Sequence, residues 1–269
     1  MVQANILSQT ENRKIKEQKG IFSVVEYLKD ISVNPVSAQT NYFMSEMGFR
    51  HKQLVAELKN QGVIIQAGAM QWVSGAIDAK TNVKGVGDFA KKMLGSAVTK
   101  ESAIKPMYFG TGHLVLEPTY KYILLEDVAD WADGMVIEDG MFLACDESVK
   151  MNVVSRKTLS SATFGNEGLF NTSLSGQGIV ALESYVPREE LIELVLDDPK
   201  DTVKIDGDMA IAWSRNLDFT VERTTKTLIG SSVSGEGLVN VYRGKGRIWM
   251  APLASYSSSV KLLGKTENK

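Results

Sequence analysis

The sequence predicts an all-β protein, mainly antiparallel, made of three compact tandem units. Three observations predict it. Short runs of strand-forming residues are separated by glycine, Asp-Gly and Asp-Asp-Pro turns. An isoleucine followed closely by glycine recurs three times, and a Gly-x-Gly step leading into an apolar strand keeps nearly the same beat.

The strands expected, in chain order, are VIIQA, HLVLE, YILLE, KMNVV, TVKI, MAIAW, DFTVE, LVNVY and RIWMA. Alternation is clearest in Leu217-Asp-Phe219-Thr-Val221 and in Leu238-Val-Asn-Val241, where side chains two apart share one face of a sheet.

The first recurring mark is Ile65-Gln-Ala-Gly68-Ala-Met70, Ile137-Glu-Asp-Gly140-Met-Phe142 and Ile205-Asp-Gly207-Asp-Met209, a period of roughly 70 residues. The second is Gly110-Thr-Gly112, Gly176-Gln-Gly178 and Gly235-Glu-Gly237, whose step shortens slightly from the first interval to the second because the first unit carries an insertion. A third mark occurs twice on the same beat, as Pro118 and Pro187, and proline suits a strand entrance because it fixes φ and donates no ladder hydrogen bond. These marks divide a single β domain, residues 41–254, into units of about 41–125, 126–194 and 195–254 in a pseudo-threefold arrangement. Residues 1–40 form an N-terminal extension, partly helical, and 255–269 a polar tail.

Two segments carry helical composition. In Glu11–Asp30, Ile21, Val24, Val25 and Leu28 cluster on one helical face, although Gly20 weakens it. Near 86–98, inside the insertion between Ile77 and Lys105, Asp88 is placed as N-cap with Phe89, Met93 and Leu94 on one stripe.

The totals limit function. A net charge of −2 and a pI near 5.8 provide no global field for nucleic acid or an anionic membrane, so such binding would need a local patch. A single cysteine, Cys145, and two histidines, His51 and His113, leave little from which to build a disulfide, a thiolate cluster or a zinc site. The polar N-terminus reads as neither signal peptide nor membrane span, and a cytoplasmic location is expected.

Each residue that could carry chemistry has a plainer structural explanation. Gly264-Lys-Thr266 lacks the first P-loop glycine, and Gly235-Glu-Gly237 leads into a strand where a dinucleotide fold needs a helix. Glu236 has Gln177 and Thr111 as counterparts, so a shared catalytic acid is excluded and the repeated glycines read as structural corners. His113 lies in an alternating strand with no partner in sight, and His51 sits in the basic run Arg50-His51-Lys52. The acid pairs Asp197-Asp198 and Glu189-Glu190 read as solvated turn and strand-opening residues. Trp72 and Trp213, following the repeated glycines, read as core or interface anchors, and Cys145 as a small buried apolar residue. No catalytic, cofactor or metal residue is assigned.

Taken in order, Ile65-Gln-Ala-Gly68-Ala-Met70, Gly140-Met-Phe-Leu-Ala144, Glu167-Gly168-Leu-Phe170, Ser175-Gly-Gln-Gly178, Ser234-Gly-Glu-Gly-Leu238 and Tyr242-Arg-Gly-Lys-Gly246 resemble the altered inheritance of mitochondria protein twenty-four family, over roughly Tyr42 to Ala254. The resemblance implies units similar to the small double-stranded β-helix of the trp RNA-binding attenuation protein, joined as a homotrimer into a pseudo-ninefold ring. It implies no enzymatic activity, and mitochondrial relatives are associated with the organisation of inner-membrane complexes. The expected function is therefore a non-enzymatic oligomeric β-scaffold with protein partners, which could touch a membrane surface through the insertion helix. RNA binding, with Lys91-Lys92, Arg50-His51-Lys52 and Arg243-Gly-Lys245 as basic points, is the less favoured alternative. A cupin-like metal enzyme is disfavoured, because it needs closely spaced histidines.

Overall fold

A computed structural model describes residues 4–80, 105–155, 170–206, 209–223 and 238–253. The expected insertion helix near 86–98, Gly207, Gly235, Glu236, Gly237, Lys91-Lys92 and the tail 255–269 lie outside the described residues.

The fold is mostly antiparallel β, as the sequence predicts. The first strands are β1 (Arg13–Lys19), β2 (Phe22–Tyr27), β3 (Lys52–Ile65), β4 (Met70–Lys80) and β5 (Met107–Leu116). Then follow β6 (Tyr122–Asp127), β7 (Met135–Ile137), β8 (Phe142–Asp146), β9 (Lys150–Ser155), β10 (Phe170–Ser175) and β11 (Ile179–Ser184). The last are β12 (Ile192–Leu196), β13 (Thr202–Asp206), β14 (Ala210–Ser214), β15 (Asp218–Arg223), β16 (Leu238–Arg243) and β17 (Gly246–Met250). All nine sequence-predicted strands fall on these elements.

One sheet runs β1-β2-β3-β8-β11-β6, with β5 pairing both β3 and β4; a second runs β12-β17-β14-β7-β10-β9; a third runs β13-β16-β15. One face of the first sheet buries Phe22, Leu54, Leu58, Leu114, Leu116 and Leu125. A second cluster gathers Trp131, Met135, Ile137, Phe142 and Leu174, and a third gathers Trp213, Tyr242 and Ile248. Burial of each such side chain stabilises by about 1.5–3 kcal/mol.

The expected helix over Glu11–Asp30 is corrected by the structure. Arg13–Lys19 and Phe22–Tyr27 form an antiparallel hairpin, with Gly20 at φ +57 in its turn. β2 then pairs with β3, sending Phe22 and Val24 into one cluster and Val25 into another. A helix would present one apolar stripe, whereas these residues are buried on both sides of an extended chain. The helix α1 lies further on, at Pro35–Glu46, where the Asn34 side chain accepts from the backbone N–H of Val36 and Ser37 and Pro35 occupies the first turn.

Three β-bulges fall in matching places. Gln71 is the extra residue between Met70 opposite Leu116 and Trp72 opposite Val115. Leu143 is extra between Phe142 opposite Leu182 and Ala144 opposite Ala181, and Ile211 between Ala210 opposite Met250 and Ala212 opposite Trp249. Such bulges bend a strand and raise its twist.

Where β5 pairs with β4, a Cβ on Gly110 would lie 1.9 Å from the Ala76 carbonyl oxygen, and one on Gly112 the same distance from that of Ser74. Both glycines hold positive φ, +149 and +146. Gly112→Ala is therefore expected to cost roughly 3 kcal/mol or more, because backbone must move. Gly68→Ala, at φ +79 with no described atom within 4 Å of the new Cβ, should cost about 1–2 kcal/mol. Urea midpoints of the two variants check this, and equal losses would contradict the close approach of β4 and β5.

Candidate functional site

Gly68 and Gly140 sit in the turns after β3 and β7, at φ +79 and +82. The Ala69 N–H donates to the Gln66 carbonyl at 3.1 Å, and the Met141 N–H to that of Glu138 at 3.4 Å. Gly176 and Gly178 occupy the corner between β10 and β11, whereas Gly110 and Gly112, read as a corner from the sequence, lie inside the continuous strand β5. Between β16 and β17 the corner is Gly244-Lys245-Gly246, with φ +109 at Gly244.

The turns at Gly68 and Gly140 flank a groove of about 600 Å3, which Glu117, Lys121, Phe142 and Glu183 also line. Ion pairs and hydrogen bonds hold charged groups in and beside it. Lys121 Nζ donates to Glu183 Oε2 at 2.5 Å, and Lys105 Nζ donates to Gln66 Oε1 at 2.7 Å while lying 4.2 Å from the centre of the Phe142 ring.

A second polar cluster brings together residues far apart in sequence. His51 Nδ1 lies 2.8 Å from Asp30 Oδ1, the Tyr120 hydroxyl donates to Asp30 Oδ2, and the His51 and Tyr120 rings pack with centroids 3.8 Å apart. Burial and the bond to Asp30 push the Tyr120 hydroxyl up to about 12. Chemically this arrangement orients an imidazole, but both carboxylate oxygens are taken within the cluster. Its effect is to tie the segment after β2 to the entrance of β3 and the β5–β6 connection. Sequence reasoning missed Asp30 and Tyr120, which no local motif marks.

Beside it, Lys52 is 1 % exposed. Its Nζ donates to the Arg50 carbonyl at 2.8 Å and lies 4.4 Å from the Tyr122 ring centre. Burial lowers its pKa to about 8, opposed by nearby Glu26. Arg50 Nη1 is 3.7 Å from Glu26 and its Nε donates to the Ser45 carbonyl at 3.0 Å. The basic run 50–52 is thus turned to internal partners. Arg243 likewise donates to Glu222 Oε1 at 2.6 Å and to Thr220 Oγ1 at 3.0 Å.

The remaining candidates separate. His113 lies in β5 opposite Glu57 and Ser74. Asp201 Oδ2 accepts from the Asp197 and Asp198 N–H groups at 2.9 Å each, which closes a turn, and Glu189 and Glu190 lie in a short 3-10 turn before β12. Trp213 is buried against Phe219 and Tyr242, while Trp72 is half-buried beside Val25, Val55 and Val115. Cys145 is fully buried, and desolvation pushes its thiol far above the usual range. Among the described residues no group of three His, Cys, Asp or Glu side chains is placed to hold a metal ion, and no helix is long and apolar enough to cross a membrane.

Sheets, bulges and glycine corners define a mostly antiparallel β protein whose polar clusters join its own segments. The family model for mitochondrial biogenesis AIM24 matches residues 46–253, and the chain belongs to that family. It is similar to an uncharacterized protein of Streptococcus pyogenes serotype M6, at 30 % identity over 199 residues, covering 71 % of this chain and 77 % of the relative. It is also similar to a crystal structure of a Streptococcus pyogenes protein, with a TM-score of 0.57 and 25 % identity, covering 80 % of this chain and 94 % of that one.

Two outcomes are expected. The Cys145 thiol should be silent to an aromatic disulfide reagent in the folded protein and react stoichiometrically in denaturant; rapid native reaction would contradict its burial. For Lys52, the folded pKa lies below the unfolded one, so the unfolded state binds more protons between about pH 8 and 10.5 and this group's contribution to stability rises with pH across that window. Denaturation of the wild type and Lys52→Met from pH 7 to 10.5 should show an upward slope in the wild type relative to the variant. Parallel curves would mean the ammonium is well solvated.

Proposed function

We propose that this chain is a non-enzymatic β-scaffold of three tandem double-stranded β-helix-like units that associates with copies of itself. The observation that carries the reading is the coincidence of the three bulges. Gln71, Leu143 and Ile211 recur at nearly equal steps of roughly 70 residues, and each interrupts the same kind of strand pair at the same point of its register. Glycines at Gly110, Gly176 and Gly244 keep a closely similar step, with Gly244, which follows β16 as Gly176 follows β10, in the place expected for Gly235; this supports the same three units.

The side-chain chemistry favours a structural role. His51, Asp30 and Tyr120 satisfy one another, Lys52 is buried over Tyr122, and Lys121 is paired with Glu183. Groups held this way position segments of chain. A general base, by contrast, must be within reach of a substrate proton.

Light scattering on freshly purified protein at micromolar concentration tests the reading. A particle of several chains, a trimer on the expectation drawn from the family resemblance, is the expected result. A monomer would overturn the assembly.

A further inference from the structure

Two strand pairings join one third of the chain to the next, and they are alike residue for residue. At the end of β3, Val63, Ile64 and Ile65 face Asp146, Cys145 and Ala144 of β8. In β7, Met135, Val136 and Ile137 face Ser214, Trp213 and Ala212 of β14. Each ends on the same hydrogen bond to a bulge residue: the Gln66 N–H donates to the Leu143 carbonyl at 2.8 Å, and the Glu138 N–H to the Ile211 carbonyl at 2.9 Å.

The series has one strand left over at either end. β13 is the third strand of the β3–β7 kind, since Ile205 follows Ile65 and Ile137 at the same beat, yet among the described residues it pairs only with β16. The start of β4, with its bulge at Gln71, is the first strand of the β8–β14 kind, and among the described residues it pairs only with β5. Burial records the difference. Phe142, Leu143 and Cys145 are 2, 6 and 0 % exposed, and Ala210 and Trp213 are 2 and 3 % exposed, whereas Met70 and Val73 each remain 38 % exposed. An apolar strand edge with unpaired N–H and C=O groups is a template for another strand.

Resting on the assembly reading above, we propose that β13 of one copy of this chain pairs antiparallel with the Met70–Ser74 segment of the next. The register follows from the two internal junctions. Ile205 lies opposite Trp72, Lys204 opposite Val73 and Val203 opposite Ser74, and the Asp206 N–H donates to the Gln71 carbonyl. Trp72 becomes the large apolar anchor of the contact, facing Ile205 where the internal junctions have alanine facing isoleucine. The contact is heterologous, so each copy offers one edge of each kind, and the sheets continue from chain to chain until the assembly closes.

Directly opposed residues in an antiparallel pair lie about 4.5–5.5 Å apart at Cα, within the span of a disulfide. Lys204 and Val73 are exposed, and Cys145 is buried, so the double variant Lys204→Cys/Val73→Cys reports on this register. Mild oxidation should produce a ladder of disulfide-linked chains on a non-reducing gel. A one-to-one mixture of the two single variants should stop at linked pairs, and Lys204→Cys/Ala76→Cys, out of register by three positions, should link far less. On the unmodified protein, hydrogen exchange should show amides of 70–74 and 202–206 as protected as those of 142–146 and 135–137.

The failures are distinguishable. A monomer by light scattering removes the assembly and this contact together. A native oligomer whose in-register double variant links no better than the shifted one, or whose two edges exchange freely, overturns this contact alone. Protected edges without linkage overturn it as well, because some other segment then covers them.

Discussion

The close pairing of β4 and β5 is the constraint on which the rest depends. At Gly110 and Gly112 the carbonyl oxygens of Ala76 and Ser74 stand where a β-carbon would be, so the two strands touch backbone to backbone. β3, whose ladder with β5 is offset at Asn60, φ +56, changes partners along its other edge. The pairing of β3 shows the result: its first half lies beside β2 and β5, and its last residues lie beside β5 and β8. Separate cores can then share strands, which is how residues from the first third of the chain come to line a surface made by the second.

Buried polar groups follow the same logic. Lys52 and the Asp30, His51 and Tyr120 cluster gather where β3 begins and where the chain returns after β5. A buried ammonium carries a desolvation cost, offset here by a carbonyl, an aromatic face and the nearby Glu26 carboxylate. Such a network is a demanding way to hold three segments together. It also specifies their arrangement, because any shift leaves a charge without its partners.

Much of the framework was legible because period-two alternation and turn glycines act locally. The strands at TVKI, DFTVE and LVNVY needed nothing beyond that. In the hairpin at 13–27 and just after it, Ile21, Val24, Val25 and Leu28 fit a helical stripe by spacing alone, and only the pairing of β2 with β3 selects the extended form. Gly20, treated as a flaw in a helix, is the turn. Asn34-Pro35 is a readable start signal for α1. Gly244 and Gly246 stand close to Gly235 and Gly237, and the spacing of the glycines alone does not say which pair takes the corner. The polar cluster was not legible, since Asp30 and Tyr120 are far apart in the chain and meet only when it folds.

The sheet order also dictates timing. Ile65 pairs with Ala144, so the end of β3 leaves the ribosome well before its partner on β8 exists. With synthesis at about 5–20 residues per second, the delay is roughly 4–16 s, during which Val63 and Ile65, buried in the finished protein, belong to an incomplete sheet. The hairpin β1–β2 is made first, but its ladder reaches only Lys52–Ala56 of β3 and leaves the waiting end uncovered. The first sheet is thus finished only by chain made long after its first strands.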